Sequence, residues 1–285
     1  MAKDTVFRKK ATINARGRLI DLSTPQVMGI INLTPDSFFA DSRKPAVNDA
    51  VQQAGKMLAD GASMLDLGAY SSRPGAEDIS VQEEIDRLLP VVEAIVKEHP
   101  EAVLSIDTFR AKVAEEAVKA GAHMINDIGG GDLDADMFAT VARLQVPYIL
   151  MHMKGTPQTM VQQIQYEDVF SEVFDHLVER YEQLRTLGVH DVILDPGFGF
   201  AKTAEQSYTL MNRLQGFNML QLPVLVGISR KRMIYGLLGS TAPEALNGTT
   251  VLNTIALTKG ADILRVHDVK EAVEAVKLWQ AISNS

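Results

Sequence analysis

The stretch Val192-Ile193-Leu194-Asp195-Pro196-Gly197-Phe198-Gly199-Phe200 sets three apolar residues before a carboxylate, a proline and two glycines. The apolar run is continuous rather than alternating. That is the pattern of a strand covered on both faces, as in a parallel sheet under helices. Pro196 cannot enter regular hydrogen bonding, and Gly197 and Gly199 allow a close backbone approach.

The same form recurs along the chain. Runs at 27–32, 64–67, 103–106, 123–126, 148–151, 192–194, 224–228 and 263–266 read as eight buried strands. Amphipathic stretches lie between them. Val81, Ile85, Leu88, Leu89, Val92, Ile95 and Val96 keep the helical period, and 46–60, 111–120, 135–144, 166–187 and 272–282 read alike. Gly61, Gly121 and Gly188 follow three of these helices as C-caps. The strands close at Asn32, Gly68, Asp107, Asp127, His152, Asp195, Ser229 and His267, at intervals of 20 to 43 residues. Those are βα-unit lengths, and eight of them predict an α/β fold, a closed (β/α)8 TIM barrel. A doubly wound open sheet would usually carry G-x-G-x-x-G after its first strand, and Asn32-Leu33-Thr34-Pro35-Asp36 is not that turn. Residues 11–22, with Arg16-Gly17 at their centre, read as an N-terminal β-hairpin that plugs the barrel bottom. No composition shift divides the chain, so residues 1–285 are expected to form a single domain.

Composition narrows the function. With 285 residues, 46% hydrophobic and 22% charged, the chain can bury a core, which excludes dominant disorder. No apolar run approaches the roughly 20 residues of a bilayer span, so no membrane partner is expected. The balance of 28 basic and 36 acidic residues, net −8, argues against nucleic acid and leaves room for a small anion on a local basic cluster. The absence of cysteine removes disulfides, thiolate zinc sites and cysteine nucleophiles. No secretory apolar core follows Lys3, Arg8, Lys9 and Lys10, so the cytoplasm is the expected location.

In such a barrel the active site lies at the C-terminal ends of the strands, and here those ends are polar. An aspartate after a strand is also a common helix N-cap, and Asp107 is open to both readings. Asp195, followed by Pro-Gly, is better placed to accept paired N–H bonds from a flat, nitrogen-rich ring, and Asn126 can offer that ring a donor and an acceptor. Arg73, Lys231 and Arg265 each have a solvated-surface reading, but together they suit phosphate or pyrophosphate. Arg232 is expected to open a short helix. His267, beside Arg265, is the best ligand-binding histidine; His123 and His152 suit structural roles. No histidine pair has zinc spacing, which leaves a hard cation held mainly by ligand phosphates. Phe38, Phe39 and Phe200 are either core filler or stacking surfaces for planar substrates.

Taken in order, several segments resemble the dihydropteroate synthase family. They are 32–38 (Asn-Leu-Thr-Pro-Asp-Ser-Phe), 72–76 (Ser-Arg-Pro-Gly-Ala), 105–108, 125–127, 195–200, 229–231 and 265–268. The resemblance spans residues 26–282. It implies condensation of 6-hydroxymethyl-7,8-dihydropterin pyrophosphate with 4-aminobenzoate to 7,8-dihydropteroate and pyrophosphate, by an S_N1-like path and with Mg²⁺ assisting. Carried over by position, Asp107, Asn126, Asp195 and Lys231 bind the pterin, with Asp107, Asp195 and Lys231 as the catalytic set. Asn32, Arg73, Arg265 and His267 hold the pyrophosphate, with Mg²⁺ near Asn32. Phe38, Pro74, Phe200, Lys231 and Arg232 line the aminobenzoate pocket, which sulfonamides would occupy. A homodimer is also implied. At two places the chain departs from the family: Ala69-Tyr70-Ser71-Ser72-Arg73 replaces a Gly-Glu-Ser-Thr-Arg type run, and Arg232 replaces a small serine. A corrinoid-dependent pterin methyltransferase would need no pyrophosphate site, and a non-catalytic pterin-binding scaffold would not need this catalytic set.

Overall fold

The computed structural model describes residues 9–33, 43–72 and 78–283. Strands β1 (Thr12–Ala15) and β2 (Arg18–Asp21) form an antiparallel hairpin. Its two turn residues, Arg16 (φ 54°) and Gly17 (φ 89°), are both left-handed, the geometry whose twist matches a two-residue hairpin. Eight parallel strands follow: β3 (Gln26–Asn32), β4 (Met64–Gly68), β5 (Leu104–Asp107), β6 (Met124–Asp127), β7 (Tyr148–Met151), β8 (Val192–Asp195), β9 (Leu225–Val226) and β10 (Ile263–Val266). Each pairs with the next from β3 to β8, and β10 pairs with both β3 and β9. A bridge from Leu194 to Val224 joins β8 to the start of β9 and completes the ring. The expected TIM barrel is the observed fold.

Helices alternate with the strands: α1 (Arg43–Ala59), α2 (Val81–Glu98), α3 (Ala111–Lys119), α4 (Met137–Leu144), α5 (Val169–Thr186), α6 (Ala204–Asn212), α7 (Arg232–Leu238), α8 (Leu246–Thr258) and α9 (Val269–Ser283). Local chemistry starts them where they start. Ser80 Oγ accepts from Glu83 N–H at the head of α2, Asp168 Oδ1 from Ser171 N–H at the head of α5, and Thr203 with Gln206 makes a reciprocal capping box on α6. Gly61, Gly121 and Gly188 stand at φ of 103°, 116° and 82° just past α1, α3 and α5, as expected of C-caps. The seventh strand is shorter than the run at 224–228: ladder pairing stops at Val226, before Gly227. The connection from β9 to β10 holds two helices, α7 and α8.

Side chains alternate in and out along each strand. The outward set, including Ile31, Leu65, Leu67, Ile106 and Ile125, packs under the helices. The inward set at the N-terminal end is apolar: Met28, Met64, Val103, Met124, Ile149, Ile193, Leu225 and Ile263, one per barrel strand or its threshold, cluster with Ile13, Ala15, Ile20 and Leu22 of the hairpin. Each of the fully buried Met, Ile and Leu side chains among them contributes about 1.5–3 kcal/mol. Arg16 donates to the Val118 and Ala122 carbonyls, and Arg18 to those of Pro100 and Ala102, so the hairpin is bolted to the loops around α3. The bottom of the barrel is therefore closed, and the site must open at the other end.

Candidate active site

Continuing up the same strands in steps of two, the inward residues turn polar. Met64 is followed by Asp66, Val103 by Ser105 and Asp107, Met124 by Asn126, Ile193 by Asp195, and Ile263 by Arg265 and His267. Arg265 is the centre of this layer. Its Nε donates to Asp66 Oδ2 at 2.6 Å and its Nη2 to Asp107 Oδ2 at 2.7 Å. Asn126 Nδ2 donates to the same Asp66 oxygen at 2.9 Å. Three buried atoms here, Asp66 Oδ1, Ser105 Oγ and Asn126 Oδ1, have no hydrogen-bond partner among the described residues. Buried polar atoms are rarely left so, which marks this layer as the place for a polar ligand. Burial pushes the Asp107 carboxyl up to about 7; Arg265 opposes the rise, and the neighbouring Asp66 and Glu84 reinforce it. The two carboxylates hold Arg265 above its ordinary value, against the effect of burial.

Asp195 ends β8. Its Oδ1 accepts from Gly197 N–H at 2.8 Å, while its Oδ2 faces the space that a side chain at Gly227 would begin to fill, 3.8 Å from an added Cβ. Burial raises its pKa, opposed first by Lys231. Lys231 Nζ donates to Phe198 O at 2.6 Å and lies 4.4 Å from the centre of the Phe200 ring. Burial lowers Lys231 to about 8 despite Asp195. Arg230 makes a two-pronged bond to Asp268 (2.9 and 2.7 Å), tying the loop after β9 to the end of β10. Ser229 Oγ lies 3.0 Å from His267 Nδ1 and accepts from the His267 N–H.

Asp107, Asn126, Asp195, Lys231, Arg265 and His267 thus come to one mouth. Asn32 closes β3 with its side chain exposed, in register with Gly68. Phe200 is half-buried beside Lys231. Arg232 opens α7, as expected, and its side chain is exposed. Phe38, Phe39, Arg73 and Pro74 lie outside the described residues. Asp107 is not the cap of α3, because the Ala111 N–H goes to Asp134 Oδ2 instead. Arg265, expected as a cation awaiting an anion, is engaged by two carboxylates. Sequence reasoning missed Asp66 and Lys202. Asp66 is a fully buried acid inside the run at 64–67, and that position was its signal. Lys202 is bonded mainly to backbone carbonyls, which leave no trace in sequence.

A barrel with a dry floor and a mouth of buried carboxylates, an amide and two cations belongs to the pterin-binding enzymes: residues 28–267 match the family described as "Pterin binding enzyme". Among curated proteins, the dihydropteroate synthase of Escherichia coli (strain K12) is 44% identical over 273 residues, covering 94% of this chain and 95% of that one. A crystal structure of the Yersinia pestis dihydropteroate synthase with a sulfonamide drug superposes with a TM-score of 0.90 at 40% identity, covering 96% of this chain and all of that one (100%). The Xanthomonas albilineans enzyme with 4-aminobenzoic acid gives 0.89 at 38%, covering 96% and 99%. The chain belongs to the dihydropteroate synthase family, a family of transferases.

Proposed function

We infer that the mouth of this barrel condenses 6-hydroxymethyl-7,8-dihydropterin pyrophosphate with 4-aminobenzoate, giving 7,8-dihydropteroate and pyrophosphate. The observation that carries the reading is the buried cluster of Asp66, Asp107, Asn126 and Asp195 wrapped around Arg265, with polar atoms to spare. In this reading Asp107, Asn126 and Asp195 grip the edge of the pterin and Lys231 covers its face. Arg265, His267, Arg73 and Asn32 hold the pyrophosphate. Phe200, Phe38, Pro74, Lys231 and Arg232 surround the aminobenzoate, the ligand held by the Xanthomonas relative. That pocket is where a sulfonamide, the drug class bound to the Yersinia relative, would sit.

The carbon–oxygen bond from the pterin methylene to pyrophosphate breaks, and its electron pair leaves with the pyrophosphate. The aniline nitrogen then bonds to the methylene and releases its proton to water. We propose that cleavage runs ahead of attack, on an S_N1-like path. The buried Asp195 and Asp107 carboxylates stabilise positive charge growing on the pterin, and the cations receive the leaving anion. A weakly basic aniline needs no strong general base. Asn32 offers one hard oxygen at the rim, and among the described residues no three acidic or histidine side chains gather to cage a metal. That donor set fits Mg²⁺ held mainly by pyrophosphate oxygens, with Asn32 as its protein ligand. When bound, the ion neutralises charge on the leaving group.

The test is to incubate the protein with both substrates and measure pyrophosphate released against aminobenzoate consumed, with and without a chelator. Equal amounts, lost on chelation and restored by Mg²⁺, are expected. A methyltransferase or a scaffold releases none.

The titrations give a pH profile. The Asp107 carboxylate forms above about 7 and the Lys231 ammonium is lost above about 8. The kcat/KM for the pterin pyrophosphate should therefore be bell-shaped, with its maximum between those values. A flat profile from pH 6 to 9 would separate these two groups from the reaction.

We also propose a homodimer and a cytoplasmic location. Leu237 and Leu238 at the end of α7, and Val251 and Ile255 on α8, are exposed apolar side chains that a second copy would cover. Sedimentation should give twice the 31.2 kDa chain mass. A Leu238→Glu/Val251→Glu variant should sediment as a single chain. The cysteine-free composition suits a reducing compartment, and no helix among the described residues is long and apolar enough to cross a membrane.

A further inference from the structure

The loop after β8 is held in an uncommon shape. Gly197, Gly199 and Ala201 all take left-handed φ (70°, 75° and 49°), and a Cβ at Gly197 would stand 2.1 Å from the His152 carbonyl. A non-glycine residue at positive φ persists only when its surroundings impose it. Lys202 supplies that constraint. Its buried Nζ reaches Gly197 O at 3.0 Å, Phe200 O at 3.0 Å, His152 O at 3.2 Å and His152 Nδ1 at 2.9 Å. Three carbonyl oxygens around one nitrogen match the three donors of an ammonium, where an amine has only two, and His152 Nδ1 is a fourth polar neighbour. His152 directly follows β7, so the loop is tied across from β8 to β7.

We propose that Lys202 is a positioning residue: its buried ammonium fixes the loop 196–201 so that Gly197 N–H holds Asp195 and the Phe198 carbonyl and Phe200 ring hold Lys231. The loop contacts two residues of the site. Gly197 N–H fixes one oxygen of Asp195, while Phe198 O and the Phe200 ring set where Lys231 lies. The ammonium acts on the site by charge as well. The charges facing Asp195 are Lys231, Arg265 and Lys202, all of which favour its ionised form. Burial pulls the Lys202 pKa well below its ordinary value; Asp195 opposes that, and Lys231 and Lys154 add to it. The role assigned to Asp195 and Lys231 rests on the synthase reading above; the pinning of the loop does not.

The test compares the full-length Lys202→Met variant with the parent chain. Folding is checked by circular dichroism. The expected result is a folded protein whose kcat/KM for aminobenzoate falls about 10- to 100-fold, the scale of a displaced catalytic group. The alkaline limb of its pH profile, set by Lys231, should move to higher pH, because Lys231 has lost a nearby positive charge. A purely structural side chain would not move that limb. A folded variant with parental kinetics and an unmoved limb would overturn the proposal. A second measurement needs neither the variant nor turnover: in ¹⁵N-lysine-labelled parent protein, Lys202 Nζ should give a protected ammonium resonance coupled to three protons. A neutral amine, or a signal exchanging as fast as a surface lysine, would equally overturn it. If the parent chain makes no dihydropteroate, the synthase reading fails, and the pinned loop is still judged by that resonance.

Discussion

An Arg265→Met variant is expected to lose about 3–5 kcal/mol of folding stability at neutral pH, together with synthase activity. Arg265 lies between Asp66, which is fully buried, and Asp107, with only 17% of its own side chain exposed. Removing it leaves two carboxylates facing each other inside the barrel, and the penalty is mostly that of uncompensated charge. The pH dependence gives the sign. Asp107 has a pKa raised on folding. Such a group contributes stability that is full below its ordinary value of 3.8 and is lost as the pH rises to the folded value; without Arg265, which holds that value down, the loss continues above 7. The deficit of the variant should therefore be largest above about pH 7 and shrink on acidification. An added Asp107→Asn change should return part of the stability and none of the activity. Urea titrations across pH 5–8 measure all of this. A single variant within about 1 kcal/mol of the parent throughout would show that the ion triad is not what balances the centre of the barrel.

Asp195→Asn makes the complementary case, loss of function with the fold intact. The amide oxygen of asparagine can still accept the Gly197 N–H, so the loop keeps its bond. What disappears is a buried negative charge that the proposed mechanism sets against the pterin. Losing one such pre-placed electrostatic group costs about 10²–10³ in rate. The variant should melt with the parent, and by pyrophosphate release kcat/KM for the pterin substrate should fall by that factor. A well-folded, fully active Asp195→Asn protein would remove Asp195 from the mechanism.

These two residues also show how much could be read in advance. The barrel was legible because its strands are unbroken apolar runs at βα intervals, and the hairpin because Arg16-Gly17 allows two left-handed residues in a row. Asp195 announced itself through the Pro-Gly that follows it. Asp66 did not, because Met-Leu-Asp-Leu-Gly reads as one more apolar strand unless the inward position is counted separately. Helices α6 and α8 were not read either. They are short or mixed in character, and α8 carries Gly248 near its start and a set of threonines. Lys202 was out of reach for a different reason: most of its partners are main-chain oxygens brought near only by the finished loop. The seventh strand was over-read because Val224 to Ile228 is apolar throughout, while its ladder ends before Gly227.

The hairpin floor has an electrical consequence. Below the charged layer lie a dozen tightly packed apolar side chains that offer a charge little solvation. Above it lies the open mouth. A group ionised at that boundary is screened from one side only, so its field is weakly damped through the insulating base and projects toward arriving ligands. Letting water into the base would blunt every charge in the mouth at once without touching any of them.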